Sequence, residues 1–187
     1  MKRIIFLNGP PGSGKDTIAN ILVCNFNGIN LKYAQPLRDI TSSFFNIKDH
    51  DIDLVKNNPI DERKSNYRIR DFMIDISETV IKPNLGQDCF ANKLVSKIKS
   101  KYYDAKLIVV SDLGFVRELE VVYDSLKEFY EIELWQICRQ GKDFSKDSRR
   151  FITHPDIKTK IINNDYSLDT LKSMVLDTAN MGKTTDS

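Results

Sequence analysis

The stretch Gly9-Pro10-Pro11-Gly12-Ser13-Gly14-Lys15-Asp16-Thr17 decides the fold, and it follows directly on an apolar run at residues 4–7. Its glycines let the backbone turn so tightly that successive N–H groups face inward and form a concave anion site. The lysine can reach the outer phosphates of a bound polyphosphate, and the helix that begins next points its positive end at the same anion. The stretch therefore predicts a polyphosphate cradle.

The pattern matches the P-loop formula with one departure, because Asp16 displaces the expected hydroxyl by one residue, to Thr17. The alternative is a plain strand-to-helix turn that binds nothing. The context favours the site, since an apolar strand ends at Asn8 and an amphipathic helix pattern begins at Ile18. The residues that we predict to bind ATP here are Gly9, Pro10, Pro11, Gly12, Ser13, Gly14, Lys15, Asp16 and Thr17.

Composition bounds the class of protein. The 187 residues are 41% hydrophobic and 29% charged with a net charge of +2, which fits one α/β domain and excludes collagen-like, disordered and membrane classes. Cys24, Cys89 and Cys138 are odd in number and far apart, which favours reduced thiols and a cytoplasmic protein without a zinc site. His50 and His154 are too isolated to build a metal centre. The small net charge argues against a nucleic-acid binder, and no stretch is long enough to cross a membrane.

Apolar periodicity predicts a single domain over residues 1–187 with alternating strands and helices. We expect strands at residues 4–7, 29–33, 106–112, 130–138 and 160–162. We expect helices from residue 16 and from Pro36, and further helices over 68–81, 88–103, 115–126 and 168–175. The polar residues 46–66 are interpreted as a mobile excursion. The fold class that follows is an α/β P-loop NTPase sandwich of three layers around a mostly parallel five-stranded sheet.

Asp112 follows four consecutive apolar residues, the pattern of a strand buried on both faces. Ligands bind at the carboxyl ends of such strands, and in P-loop proteins an acid in this position belongs to the Mg²⁺ shell. We therefore expect this strand beside the P-loop strand, with Thr17 and Asp112 in the metal environment. The alternative for Asp112 is a cap for the helix that follows.

A cationic segment leaves the fourth strand. The segment contains two acids and five basic residues. The basic residues are Arg139, Lys142, Lys146, Arg149 and Arg150. Such a segment can fold over bound phosphates as a lid, although a solvated basic loop has the same composition. We expect Arg139 and Arg149, together with Lys15, to be catalytic through their charge.

These pieces in this order resemble the P-loop nucleoside monophosphate kinases, most closely those of bacteriophages that act on deoxynucleotides. The motifs that carry the resemblance are Gly-Lys-Asp-Thr at residues 14–17, Tyr-Ala-Gln-Pro-Leu-Arg at 33–38, Asp-Leu-Gly-Phe-Val-Arg-Glu at 112–118 and Ile-Ile-Asn-Asn-Asp at 161–165. The family pattern has lysine where Arg38 stands, and the arginine of the third motif has moved three positions, to Arg117.

The resemblance implies transfer of the γ-phosphoryl group of ATP, with Mg²⁺, to a (deoxy)nucleoside 5′-monophosphate. It implies a core of residues 1–45, 104–138 and 158–180, an acceptor-binding helical part at 46–103 and a lid at 139–157. Asn163 is expected near the ATP base. The residues expected to bind the acceptor are Arg38, Arg70, Lys82, Asp112 and Arg117.

Three alternatives remain open on the sequence. The first is a P-loop kinase for another small phosphorylated metabolite, such as phosphomevalonate or a coenzyme precursor. The second is a non-catalytic nucleotide-binding switch, and the third is a kinase that acts on nucleic-acid ends. We expect a small-molecule nucleotide as the partner rather than a nucleic acid or a membrane. The oligomeric state is open, and a homodimer is among the states that the sequence allows.

Overall fold

The computed structural model describes residues 2–61, 65–145 and 147–180. The strands are, in chain order, β1 (Arg3–Asn8), β2 (Ile29–Leu31), β3 (Pro59–Asp61), β4 (Ser65–Arg68), β5 (Leu107–Val110), β6 (Glu131–Cys138) and β7 (Thr159–Asn163). The helices are α1 (Lys15–Phe26), α2 (Gln35–Phe45), α3 (Asp49–Val55), α4 (Ile69–Asp75), α5 (Lys82–Leu85), α6 (Cys89–Lys101), α7 (Val116–Leu126) and α8 (Leu168–Asn180). A π-helical segment, Ile76–Ile81, joins α4 to α5. Two compact units result, Met1–Lys32 with Leu94–Ser187 and Tyr33–Lys93.

Five parallel strands form the sheet of the first unit, in the order β2-β5-β1-β6-β7. Every residue of β1 and of β5 is buried, because each of these strands has neighbours on both sides and helices cover the sheet. The register pairs Ile5 with Val109 on one side and with Glu133 on the other. The predicted parallel five-stranded sheet is confirmed, and the strand before Asp112 does lie beside the P-loop strand.

The core between the sheet and two of its helices is fully apolar. Helix α1 contributes Ile18 and Leu22, α8 contributes Leu171 and Val175, and the sheet contributes residues from four strands. These strand residues are Ile5, Leu7, Leu107, Val109, Trp135, Ile137 and Ile162. Burial of side chains of this size contributes about 1.5–3 kcal/mol each. The P-loop therefore connects β1, a buried strand, to α1, a helix that packs against the sheet.

A buried charge network crosses the sheet near the start of β1. Glu133 Oε1 accepts a hydrogen bond from Arg3 Nε at 2.9 Å, and its Oε2 accepts one from Trp135 Nε1 at 2.8 Å and lies 2.7 Å from Lys160 Nζ. Arg3 also donates to the carbonyl oxygen of Ala179 at 3.0 Å. The network ties β1, β6, β7 and the end of α8 together.

The second unit corrects our interpretation of residues 46–66 as a mobile excursion. Asp49–Val55 is a helix whose Ile52 is fully buried, and Pro59–Asp61 pairs with Ser65–Arg68 as an antiparallel hairpin. The composition misled us about α3, because two of its acids pair with Arg38, as described below. Residues 62–64 of the expected excursion lie outside the described residues.

The helix that we expected over residues 68–81 begins at Ile69, becomes π-helical at Ile76 and is continued by α5 to Leu85. Pro83 lies in the first turn of α5, where a helix needs no backbone N–H. The π-helical segment before it makes this possible, with Lys82 N donating to Ser77 O five residues back. Among the described residues, no helix combines the length and the apolar character that crossing a membrane requires.

Candidate active site

The loop between β1 and α1 has a backbone that only glycine fits well. Gly12 and Gly14 have φ of +76° and +99°, a region that favours glycine. A Cβ at Gly9 would come within 2.5 Å of the carbonyl oxygen of Ile137, and a Cβ at Gly14 within 2.2 Å of Asn164 Nδ2. The loop is therefore held in one conformation at the start of α1, where helix N–H groups and the helix dipole favour an anion.

Lys15 curls back over this loop. Its Nζ donates to the carbonyl oxygens of Gly9 at 2.7 Å and of Pro10 at 2.9 Å. Burial, and after it the nearby positive charge of Arg149, lower the pKa of Lys15 to about 8, against the raising effect of carboxylates that include Asp112. The ammonium group thus stands within the loop, partly shielded from water.

Asp16 connects the start of α1 to the ends of two neighbouring strands. Its Oδ1 lies 3.1 Å from Lys32 Nζ and accepts a hydrogen bond from Ser111 Oγ at 3.2 Å. Lys32 follows β2 and Ser111 follows β5, so the carboxylate joins three elements at the carboxyl edge of the sheet. Thr17, which we expected to replace the missing hydroxyl, is exposed in the first turn of α1.

Asp112 lies two residues past the end of β5 and is half-buried. Its charge acts on both Lys15 and Arg149, raising the pKa of each, which places the carboxylate close to the loop. In the first turn of α7 it is Glu118 Oε2 that accepts the backbone N–H groups of Gly114 and Phe115, each at 3.1 Å. Glu118 therefore contributes to the N-terminal cap of α7.

The first turn of the basic segment touches the P-loop at Gly12. Lys142 N donates to Arg139 O at 3.0 Å in a turn with Gly141 at φ +71°. Arg139 Nη1 approaches the carbonyl oxygen of Gly12 at 3.4 Å. A Cβ at Gly12 would lie 3.3 Å from Lys142 Cε, so the lysine side chain passes directly over the loop. We had counted Lys142 in the segment without assigning it to the site.

The end of the basic segment is held in place by hydrogen bonds to Asn8, the last residue of β1. Its Oδ1 accepts from Ile152 N at 3.0 Å, and its Nδ2 donates to Leu113 O and Arg150 O, each at 3.2 Å. Gln136 Nε2 donates to Ile152 O at 2.9 Å. Asn8 is fully buried, so one side chain joins the loop that carries Asp112 to the segment that carries Arg149.

The turn after β7 contacts the P-loop through Asn164. Its Nδ2 donates to Ser13 O at 2.8 Å and its backbone N to Cys138 O at 2.8 Å. Asn163, which we had selected, is exposed at the end of the strand. Strand alternation explains the difference, because neighbouring residues at a strand end point to opposite sides.

The other residues selected from sequence have these surroundings. Arg117 is exposed on α7, with Nη1 3.4 Å from Glu120. In the second unit, Arg38 is buried and bonds to Asp49 Oδ1 through Nε at 2.8 Å, while its Nη1 lies 3.0 Å from Asp53. Arg70 is half-buried at the start of α4. Lys82 pairs with Glu78 at 2.6 Å.

Polar oxygens at the carboxyl edge of the sheet fit a magnesium ion that is held jointly with a nucleotide. Mg²⁺ takes one or two protein oxygens plus phosphates and water, and the carboxylate of Asp112 and the hydroxyl of Thr17 are ligands of that kind. Among the described residues, no group of three or more His, Cys, Asp or Glu side chains could hold a metal ion. Phosphate oxygens would have to complete the coordination.

Together, the parallel sheet and the glycine loop with its lysine define an α/β P-loop NTPase fold. No family model and no curated protein matches the sequence. The structure is similar to that of an unliganded sugar kinase from Janibacter sp. HTCC2649, with a TM-score of 0.56 and 10% identity over 95% of this chain and 94% of that one. It is also similar to a provisionally assigned kinase from Chloroflexus aurantiacus, with a TM-score of 0.53 and 11% identity over 97% of each chain. At such identities the likeness shows a shared fold.

Proposed function

We propose that the protein transfers the γ-phosphoryl group of ATP to a (deoxy)nucleoside 5′-monophosphate. The observation that carries the proposal is the glycine loop that Lys15 and Arg139 contact, with Arg149 against Gly114 in the loop that carries Asp112. Phosphoryl transfer needs little covalent help from a protein, and it depends on positive charge placed around the transferring group. The kinase structures that share this fold support the same class of reaction.

In the proposed reaction an oxygen of the acceptor's 5′-phosphate forms a bond to the γ-phosphorus of ATP. The bond from that phosphorus to the β–γ bridging oxygen breaks, and ADP leaves with the electron pair. The attacking oxygen is already ionised, so this chain needs no general base. Lys15 binds the outer phosphates, and the guanidinium groups of Arg139 and Arg149 stabilise the charge that spreads over the equatorial oxygens.

The cofactors in this proposal are ATP and Mg²⁺. The loop from Gly9 to Gly14 and the start of α1 bind the phosphates through backbone N–H groups, with Asn163 near the base. Thr17 and Asp112 would hold the magnesium ion, which when bound neutralises charge on the β- and γ-phosphates. Asp16 orients the first turn of α1 through its contacts with Lys32 and Ser111.

On the acceptor side we propose Arg38 and Arg70 as the groups that grip the 5′-phosphate, with Lys82, Asp112 and Arg117 as further contacts. Arginine binds phosphate in a forked geometry, which suits this task. Arg38 already bonds to Asp49 through Nε and to the Asp49 carbonyl oxygen through Nη2 at 2.6 Å. It can bind an acceptor phosphate only if part of this pairing is exchanged.

A kinase for another small phosphorylated metabolite is the second candidate, and the state of Arg38 favours it. Two carboxylates pair with this guanidinium, which gives it a structural task in the second unit. If that is its whole task, the acceptor is gripped elsewhere and need not be a nucleotide.

An assay of ADP release across all common nucleoside and deoxynucleoside monophosphates tests the proposal. We expect ADP release that depends on one or a few of these acceptors, on magnesium and on Lys15. The Lys15→Ala variant should lose several orders of magnitude in turnover, because its charge acts on the transferring group. If no nucleoside monophosphate stimulates ADP release while another phosphorylated metabolite does, the second candidate replaces the first.

A further inference from the structure

Arg149 is held by a carboxylate two residues before it. Asp147 Oδ1 accepts a hydrogen bond from the backbone N of Arg149 at 3.0 Å and another from its Nε at 2.8 Å. Asp147 Oδ2 accepts from Arg149 Nη2. The pair is therefore bidentate, and it uses the edge of the guanidinium that carries Nε. The opposite edge, which carries Nη1, takes no part in it.

The stem of Arg149 is held from the other side by Gly114. A Cβ at Gly114 would come within 2.7 Å of Arg149 Cδ and within 3.3 Å of its Cγ. Residue 114 therefore has to lack a side chain if the arginine is to lie flat against the loop after β5. Gly114 has no positive φ to explain its identity, so this contact is the reason that the structure offers for a glycine here.

We infer that Asp147 and Gly114 are positioning residues, which together hold Arg149 with its Nη1 edge towards the phosphates at the P-loop. The inference rests on the proposed function, since it assigns both residues to the same site. Asp147 belongs to none of the strands and helices of the described residues, yet its side chain is only 7% exposed. Acids in surface loops are usually exposed, so the burial of Asp147 is a sign that it orients Arg149.

Repulsion between two cations explains why a tether is needed. Asn8 joins Leu113 O and Arg150 O to the end of the P-loop strand, and the positive charge of Arg149 beside them lowers the pKa of Lys15. An untethered arginine in that position would turn outwards to water, because long side chains gain rotamer entropy and hydration there. Asp147 offsets the repulsion, and its charge raises the pKa of Lys15 in turn.

Positioning and plain charge predict opposite effects for Asp147→Ala. If Asp147 only adds negative charge to the site, its removal makes the loop more positive and strengthens phosphate binding. If it orients Arg149, its removal lowers kcat by about tenfold to hundredfold, because misplaced catalytic groups lose their advantage steeply. We expect the second result, with the KM for ATP changed by less than about threefold. The Asp147→Asn variant should fall between wild type and Asp147→Ala, since one amide oxygen can still accept from Arg149.

A double-mutant cycle gives the sharper test. In an Arg149→Ala background there is no side chain left to orient, so Asp147→Ala and Gly114→Ala should each cause no further loss of kcat. Gly114→Ala alone should lower kcat by about tenfold, because its Cβ displaces the arginine stem. The matched control is Asp143→Ala, which removes an exposed acid of the same segment that bonds to Ser145. It should leave kcat unchanged, and urea unfolding should verify that each variant is folded.

A binding measurement separates this inference from the proposed function. Its ligand is the magnesium complex of an ATP analogue in which nitrogen replaces the β–γ bridging oxygen. Calorimetry with that analogue needs no acceptor. We expect Asp147→Ala and Arg149→Ala each to weaken its binding by a similar factor of about two to three. The double variant should bind it no more weakly than either single variant. If this coupling is found but no nucleoside monophosphate is phosphorylated, the positioning stands and the proposed function fails. If the losses in kcat and affinity add up in the double variants, or if Asp147→Ala binds and turns over as wild type, the positioning is wrong.

Discussion

Asn164 donates its side-chain amide to the carbonyl oxygen of Ser13 at 2.8 Å, and the same Nδ2 atom occupies the place that a Cβ at residue 14 would need. The turn after the last strand thereby fixes the P-loop from outside. Two separate constraints favour glycine at position 14. The first is its φ of +99°, and the second is the distance of 2.2 Å between an added Cβ and Asn164 Nδ2. They can be tested separately because Gly141, in the turn closed by Lys142 N and Arg139 O, has a φ of +71° with nothing near its missing side chain.

We predict that Gly14→Ala abolishes binding of Mg·ATP and destabilises the protein by about 2–4 kcal/mol, from backbone strain together with the collision. Gly141→Ala carries the strain alone and should lower the free energy of unfolding by only about 1 kcal/mol. Urea unfolding and calorimetry measure both effects. Equal destabilisation by the two variants would show that Asn164 yields to the new methyl group and does not hold the loop.

The pKa of Lys15 predicts how ATP binding depends on pH. Burial, with the charge of Arg149 as the next cause, lowers the pKa of Lys15 to about 8, and bound phosphates would raise it again. Below pH 8 the lysine is protonated both before and after binding, so affinity should be flat there. Above pH 8 binding must take up a proton, and the dissociation constant should rise by up to about tenfold per pH unit.

Calorimetry of Mg·ATP binding between about pH 7 and pH 9.5 measures this profile. Lys15→Arg should flatten it, because a guanidinium group keeps its charge over the whole range. Arg149→Ala should move the onset to higher pH, since it removes a positive charge that lowers the pKa of Lys15. A wild-type affinity that stays constant up to pH 9.5 would contradict the prediction.

Much of this fold follows from the sequence, because its signals are local. The glycine loop, the apolar run before it and the amphipathic pattern after it lie within 26 residues of one another, and the buried strand before Asp112 shows four apolar residues in a row. Periodicity therefore located all five strands of the sheet. That the strand before Asp112 lies beside the P-loop strand followed from the pattern of P-loop proteins, in which an apolar run that ends in an acid takes this place.

The parts that the sequence did not predict depend on partners far along the chain. Asn8 meets Ile152 across 144 residues, and Asn164 meets Ser13 across 151 residues. No local pattern marks an asparagine for such a contact. Helix α3 was missed for a related reason, because Arg38 pairs with its acids and thereby orders a segment whose composition is typical of a loop.

The Glu133 network predicts a destabilising substitution away from the site. Burial alone would raise the pKa of the Glu133 carboxyl, but hydrogen bonds from Lys160, Trp135 and Arg3 outweigh it and hold the pKa below its usual value. We expect Glu133→Gln to lower the free energy of unfolding at pH 7 by about 3–5 kcal/mol, because it leaves two buried cations without their carboxylate. Urea unfolding measures the change.

The pH dependence of this effect has a definite sign. Since the folded pKa of Glu133 lies below the unfolded one, near 4.5, its contribution is present at pH values above 4.5 and is lost as the pH falls towards and below the folded value. The gap between wild type and Glu133→Gln should therefore shrink on acidification. Glu131→Gln is the control, because its carboxylate is 33% exposed and stands 3.8 Å from Arg3, and it should cost less than about 1 kcal/mol. A gap that stays constant down to low pH would mean that the charge on Glu133 does not matter.

Asn8→Ala should impair both stability and turnover, since one buried side chain joins the loop of Asp112 to the segment of Arg149. The substitution removes two bonds that Nδ2 donates and leaves the backbone N–H of Ile152 without its acceptor. An orphaned buried group of this kind costs about 1–3 kcal/mol. We also expect kcat to fall by at least about tenfold, because the two segments lose their common anchor.

Asn25→Ala removes an amide that bonds within α1, to Ile21 O, and serves as the control for both measurements. If Asn8→Ala lowers stability while kcat remains at the wild-type value, then Asn8 supports the fold but does not align the catalytic groups.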